Sequence, residues 1–211
     1  MKLTCLYPVV NLLDDGDGDN SLALAVALAE AGVTLMQLRW KTARTGEYCS
    51  LASQVVEALQ PLGCSLLIND RVDVALASGA AGVHLGQDDL PVREARAILG
   101  NEAIIGLSTH ELAEAERGWS AAADARPDYL AFGPVFDSPT KAGARSARGI
   151  DALARVCKLS PLPVVAIGGI TLELAPSIRS AGAAASAVIS ELEQARAPGE
   201  LARRWLAELS S

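Results

Sequence analysis

Apolar positions along the chain fall into short runs that alternate with longer amphipathic stretches, and the alternation repeats from end to end. Its clearest copy is Leu67–Asp89. An apolar run over 64–68 stops at Asn69-Asp70, a stretch of helical pattern follows, and a second apolar run from Gly82 to Leu85 stops at Gln87-Asp88-Asp89. That is a strand–helix–strand unit, with parallel strands and a right-handed crossover. Neighbouring parallel strands lie about 5 Å apart, so the pattern places Asp70 and Asp89 at the same end of adjacent strands. Carboxylates held so close usually share a cation or a proton.

The same reading predicts strands at 3–10, 33–39, 64–68, 82–86, 103–107, 128–132, 163–167 and 184–189. Helices are predicted at 21–31, 46–60, 71–79, 91–99, 110–122, 149–158, 171–181 and 198–209, with a long loop over 133–148. Asn20 or Ser21 is placed to cap the first helix. Eight strands alternating with helices in 211 residues favour a single α/β domain over 1–211, a closed (β/α)8 TIM barrel. An open, doubly wound sheet would usually carry a glycine-rich phosphate turn after its first strand. Here that turn is the acidic segment Asp14-Asp15-Gly16-Asp17-Gly18-Asp19-Asn20. It does not fit a calcium loop, because Asn20 and Val26 stand where Gly and Glu are needed. A solvated loop is expected.

Composition narrows the partners. The net charge of −7 comes without a basic cluster, which argues against nucleic acid and acidic membranes. An anionic substrate is still allowed if local Arg, Lys, metal or backbone amides hold it. Cys5, Cys49, Cys64 and Cys157 form no C-x-x-C pair, so they read as reduced thiols of a cytoplasmic protein and not as a zinc site. No apolar run approaches a membrane span, and the N-terminus leads directly into a strand, so neither a span nor a signal sequence is expected.

The second predicted strand is informative. Met36, Leu38 and Trp40 point one way, and Gln37, Arg39 and Lys41 the other. A strand buried on both faces should not carry such a polar row, so either one face is wet or the row lines a polar mouth. A barrel builds its site where the strands end. Those ends supply Gln37, Arg39 and Lys41; Asn69 and Asp70; Asp88 and Asp89; Ser108, Thr109 and His110; Gly133 through Lys141; Gly168 and Gly169; and Ile189 and Ser190. Each piece has a plain reading: Asp70, Asp89, Ser108 and Thr109 as helix caps, His110 as a cap or packing residue, the glycine pair as a tight turn. Their convergence on one face favours chemistry. Two carboxylates plus substrate phosphates is the usual way a protein holds Mg2+. Glycine turns after the seventh and eighth strands form the usual barrel phosphate site. The residues alone point to a metal-assisted enzyme of phosphorylated small molecules.

Ordered motifs sharpen this. They are Leu6-Tyr7, Gln37-Leu38-Arg39-x-Lys41, Ile68-Asn69-Asp70, Gly82-Val83-His84-Leu85-Gly86-Gln87-x-Asp89 and Gly106-x-Ser108-x-His110. Gly133-Pro134-Val135-Phe136-x-Ser138-x-Thr140-Lys141, Ile167-Gly168-Gly169-Ile170 and Val188-Ile189-Ser190 follow. In this order the chain resembles the thiamine phosphate synthase family, a relative of the thiazole tautomerases. The resemblance implies a transferase of thiamine biosynthesis. It would join 4-amino-2-methyl-5-pyrimidinylmethyl diphosphate to 4-methyl-5-thiazolylethyl phosphate and release pyrophosphate. Asp70 and Asp89 would hold Mg2+ on the diphosphate. Gln37, Arg39, Lys41, Asn69 and Lys141 would bind and orient the diphosphate, and Ser108 would contact the pyrimidine. Ser138 and Thr140, with amides at Gly169, Ile189 and Ser190, would hold the thiazole phosphate. In the reaction the resemblance implies, the diphosphate would leave first and the thiazole nitrogen would trap the resulting pyrimidinylmethyl cation, so no protein nucleophile would be needed. A homodimer is compatible with this reading.

The chain departs from the family pattern in places. Asn11 and Trp40 stand where the family usually has acids, Ser138 replaces a usual Thr, and Ala185 a usual Gly. Glu191 follows the phosphate-binding amides, where an anion is unfavourable. Two rival functions remain. One is a thiazole tautomerase with His110 as its acid–base group, supported by Lys141-Ala142-Gly143 through Ala147-Arg148-Gly149. The other is a non-catalytic thiamine-phosphate-binding barrel, supported by Glu191. The Gln-x-Arg-x-Lys row and the acid pair favour the synthase.

Overall fold

A computed structural model describes residues 3–12, 18–137 and 146–208. The strands are β1 (Leu6–Leu12), β2 (Leu35–Trp40), β3 (Ser65–Asn69), β4 (Gly82–Leu85), β5 (Ile104–Thr109), β6 (Tyr129–Phe132), β7 (Val164–Ile167) and β8 (Ala185–Val188). All neighbouring pairs are parallel, and β1 pairs with both β2 and β8, which closes the barrel. The helices are α1 (Gly18–Glu30), α2 (Thr45–Leu59), α3 (Val72–Ser78), α4 (Val92–Leu99), α5 (Leu112–Ser120), α6 (Ile150–Leu159), α7 (Ala175–Ser180), α8 (Ser190–Glu193) and α9 (Pro198–Glu208). The expected (β/α)8 architecture is therefore the one observed.

The alternation along each strand divides the apolar residues between two cores. Outward positions such as Met36, Leu38, Leu66, Ile68, Val83, Leu130 and Val188 pack under the helices. Inward positions form a second core of Tyr7, Val9, Leu35, Leu67, Tyr129, Ala131, Val165, Ala185 and Ala187. Small and large residues face one another across this interior, as a filled barrel requires. Towards the strand ends the inward positions turn polar, with Gln37, Asn69 and His84 all buried. The polar face of β2 thus lines the barrel mouth.

Several boundaries shift. Helix α1 starts at Gly18, so Asn20 and Ser21 lie inside its first turn and do not precede it. Strand β5 runs on through Thr109, whose hydroxyl donates to the Ala131 carbonyl at 3.0 Å. Tertiary pairing therefore draws Ser108 and Thr109 into the strand. The helix predicted over 171–181 is a 3-10 turn at Leu172–Leu174 followed by α7, with Pro176 in its first turn. The short α8 has no apolar period long enough to register in the sequence.

Candidate active site

The polar mouth is built from β2, β3, β4 and β5. Gln37 is buried and donates its side-chain N–H to the Tyr7 hydroxyl at 3.0 Å. Arg39 donates to the side-chain oxygen of Asn11. The Asn11 backbone N–H in turn donates to Glu193 at 3.0 Å. Burial raises the pKa of Glu193, and that N–H and the nearby Arg39 partly offset the rise. Asn11 and Glu193 thus hold the end of β1 against the guanidinium. The sequence marked Asn11 as a departure from pattern and gave no signal for Glu193.

Asp70 ends β3 in the left-handed region, at φ 63°, a conformation that Asp tolerates better than most residues. Its N–H donates to the His84 carbonyl at 2.8 Å, tying the turn to β4. The carboxylate lies 3.2 Å from Lys41 Nζ. Asp89 accepts the Gly86 N–H at 2.6 Å. Burial raises the pKa of Asp89; the Gly86 N–H opposes this, and the neighbouring Asp70 carboxyl adds to the rise. The two acids are therefore neighbours at one rim, as the strand–helix–strand reading expects. Neither caps a helix: the cap positions of α3 and α4 are Arg71 and Pro91, without side-chain cap bonds.

Inside the mouth, His84 lies beside Tyr129 with ring centroids 5.6 Å apart and nearly parallel planes. Gly106 is paired with both, facing His84 on one side and Tyr129 on the other. A Cβ at Gly106 would stand 2.1 Å from Tyr129 Cζ and 2.5 Å from His84 Nδ1, so only glycine leaves the rings their space. Burial lowers the His84 pKa to about 4, with a small opposing effect of Asp89, and the ring is neutral at pH 7. Its Nε2 lies 2.8 Å from Ser108 Oγ, which brings Ser108 to the polar interior. Tyr7, His84 and Tyr129 were not assigned roles from the sequence. Tyr7 and His84 lie within its motifs, but the contact between them runs through Tyr129 and appears only on barrel closure.

His110 bonds to other groups than this cluster. Its Nδ1–H donates to the Gly133 carbonyl at 2.7 Å, and its backbone N–H donates to Glu114 at 2.6 Å. These contacts suit a packing residue. On the far rim, Gly169 sits at φ 64°, and a Cβ there would stand 2.5 Å from the Asp137 carbonyl oxygen. The chain after β6 therefore crosses directly over the glycine pair. Ile189 and Ser190 lead from β8 into α8. Glu191 does not oppose this rim. Its carboxylate accepts the Leu172 N–H at 3.0 Å and the Trp205 indole N–H at 2.9 Å. Trp40 packs edge-on to Tyr48, centroids 6.1 Å apart, on the outer side of β2. Ser138, Thr140 and Lys141 lie outside the described residues, as does most of the acidic turn after β1. Among the described residues no helix is long and apolar enough to cross a membrane, and the four cysteines are free thiols.

Known proteins resemble this chain in sequence and fold. A family model described as thiamine monophosphate synthase matches residues 6–192. The thiamine-phosphate synthase of Syntrophomonas wolfei is 48% identical over 163 residues, 77% of this chain and 76% of its own. That of Chlorobium luteolum is 39% identical over 204 residues, 97% of this chain and 94% of its own. The solved structure of a thiamine phosphate pyrophosphorylase from Pyrococcus furiosus superimposes with a TM-score of 0.82 at 28% identity, covering 98% of this chain and 96% of that one. With the matched stretch reaching from the first strand to α8, and so taking in both rims of the mouth, the chain belongs to the thiamine monophosphate synthase family.

Proposed function

We propose that the chain is a thiamine-phosphate synthase, joining 4-amino-2-methyl-5-pyrimidinylmethyl diphosphate to 4-methyl-5-thiazolylethyl phosphate with release of pyrophosphate. The observation that carries this reading is the acid pair, Asp70 beside Asp89, set next to Lys41 and the Gln37–Arg39 row. The names of the relatives support it. Two carboxylates at one rim fit a hard divalent cation such as Mg2+. Two carboxylates leave most of such an ion's positions to substrate phosphate oxygens and water. Asp70 and Asp89 would hold it, and when bound it would offset the charge that builds on the departing diphosphate.

The chain's own residues do the rest. Arg39 and Lys41 meet phosphate oxygens, with Arg39 steadied by Asn11. Gln37 and Asn69 orient the diphosphate end, Ser108 contacts the pyrimidine, and the family resemblance gives Lys141 a share in binding the diphosphate. Gly169, Ile189 and Ser190 offer backbone amides to the thiazole phosphate, a role in which the family resemblance also enlists Ser138 and Thr140. The work is positioning and electrostatic stabilisation, for which no activated nucleophile is required. The tautomerase reading is weaker because His110 is held by Gly133 and the diphosphate row is retained. The non-catalytic reading loses its support because Glu191 is turned towards Trp205. The test is an assay of the purified protein with both substrates, with and without Mg2+, following thiamine phosphate and pyrophosphate. Mg2+-dependent formation of both products is expected; absence of either overturns the reading.

A further inference from the structure

Five side chains inside the barrel form one unbranched hydrogen-bonded row. It passes from Gln37 Nε2 to the Tyr7 hydroxyl at 3.0 Å, to the Tyr129 hydroxyl at 2.8 Å, and to His84 Nδ1 at 2.9 Å. From His84 Nε2 it reaches Ser108 Oγ at 2.8 Å. Gln37, Tyr7, Tyr129 and His84 are buried, and Ser108 is half-buried at the open end. Each phenol has one proton to give, and a neutral imidazole donates from one nitrogen and accepts at the other. A row of such groups has two self-consistent directions, and all members must share one.

Gln37 selects between them. Its amide nitrogen faces Tyr7 and cannot accept, so the Tyr7 oxygen accepts and its proton goes to Tyr129. In the opposite direction Tyr7 would accept from both neighbours, and its own O–H would be left buried without an acceptor, which native interiors avoid. We propose that the row runs one way only, Gln37 to Tyr7 to Tyr129 to His84 to Ser108, so that His84 is the Nε2–H tautomer and the Ser108 hydroxyl proton is left for a ligand. Tyr7, Tyr129 and His84 are then positioning residues that make Ser108 a donor. The identity of the ligand rests on the functional reading above: the atom of the aminopyrimidine that meets Ser108 is an acceptor, a ring nitrogen, and not the donor amino group.

The experiment is nitrogen-15 NMR of the full-length protein labelled at histidine, without ligand. The chain has two histidines. His110 is an internal reference, because its Nδ1 faces a carbonyl and must carry the proton. One histidine of each tautomer is expected, with the His110→Gln variant assigning His84 as Nε2–H. Finding His84 as Nδ1–H overturns the proposal without any variant at a row position. Gln37→Glu, read at pH 9 so that the carboxylate beside Arg39 is ionised, replaces the donor by an acceptor. It should reverse the row and move the His84 proton to Nδ1. Adding Tyr129→Phe cuts the row, and Gln37→Glu should then no longer move that proton. An unchanged His84 spectrum in folded Gln37→Glu refutes the coupling. None of these spectra depends on turnover, so failure of the synthase assay and failure of this proposal are separate results.

Discussion

Glu191 Oε2 accepts the indole N–H of Trp205 at 2.9 Å, while Oε1 accepts the Leu172 N–H at 3.0 Å. A carboxylate that the sequence placed against a phosphate site instead fastens α8 to α9 and to the turn after β7. Glu191→Ala should therefore cost stability, about 1–3 kcal/mol for the buried Trp205 indole and the half-buried Leu172 N–H left without an acceptor. KM for the thiazole phosphate should stay within about threefold, a difference under 1 kcal/mol. Urea denaturation and steady-state kinetics check this; a large fall in KM with unchanged stability would reverse the assignment.

Asp89→Asn keeps an oxygen for the Gly86 N–H and removes the charge beside Asp70. Turnover should fall by about a hundredfold or more, as for loss of a charged group that stabilises a transition state. The melting temperature should hold or rise, because a like-charge contact is relieved. Full activity of the variant at limiting Mg2+ would remove Asp89 from the metal site.

The buried His84 makes stability depend on pH. Its folded pKa of about 4 lies below the ordinary 6.5, so between those values the unfolded chain binds a proton that the folded chain refuses. Stability is fully present above pH 6.5 and is lost as pH falls towards 4, by about 3 kcal/mol in all. Denaturation curves from pH 4 to 7 should show this slope in the wild type and a shallower one in His84→Asn. Equal slopes would contradict the assignment of a neutral, buried ring.

Gly106→Ala places a methyl group 2.1 Å from Tyr129 Cζ. Overpacking of this kind costs about 1–3 kcal/mol or more. The variant should be less stable by at least that amount and should lose the stacked His84–Tyr129 contact. A double variant with Tyr129→Leu should recover part of the stability and none of the activity. Wild-type-like melting of Gly106→Ala would show that the interior yields more easily than its packing indicates.

His110→Ala should leave synthesis within about tenfold of wild type, since its Nδ1–H bond to Gly133 is a single hydrogen bond worth about 1 kcal/mol. A loss of several orders of magnitude would instead favour proton-transfer chemistry at this position.

The barrel was legible because its signal is local and repeated. Each strand is a short apolar run, each helix an amphipathic stretch, and the ends of the runs mark one rim. The neighbourhood of Asp70 and Asp89 could be read for the same reason, since a single βαβ unit contains both. The Tyr7–Tyr129 contact could not, because it joins residues 122 positions apart. Nor could the role of Glu191. Its position after β8 was clear, but the direction of its side chain depends on where α9 carries Trp205. Boundaries moved where a tertiary partner outweighed local propensity, as at Thr109, which the Ala131 carbonyl draws into β5.

The empty place at residue 106 ties the history of three strands together. Bulk can be added on β5 at that level only if it is first given up on β4 or β6. Substitutions at 84, 106 and 129 should therefore arrive as correlated sets among related barrels, with any larger residue at 106 accompanied by a smaller one at 84 or 129. Lineages that made that exchange would have given up the aromatic pair that lines the interior.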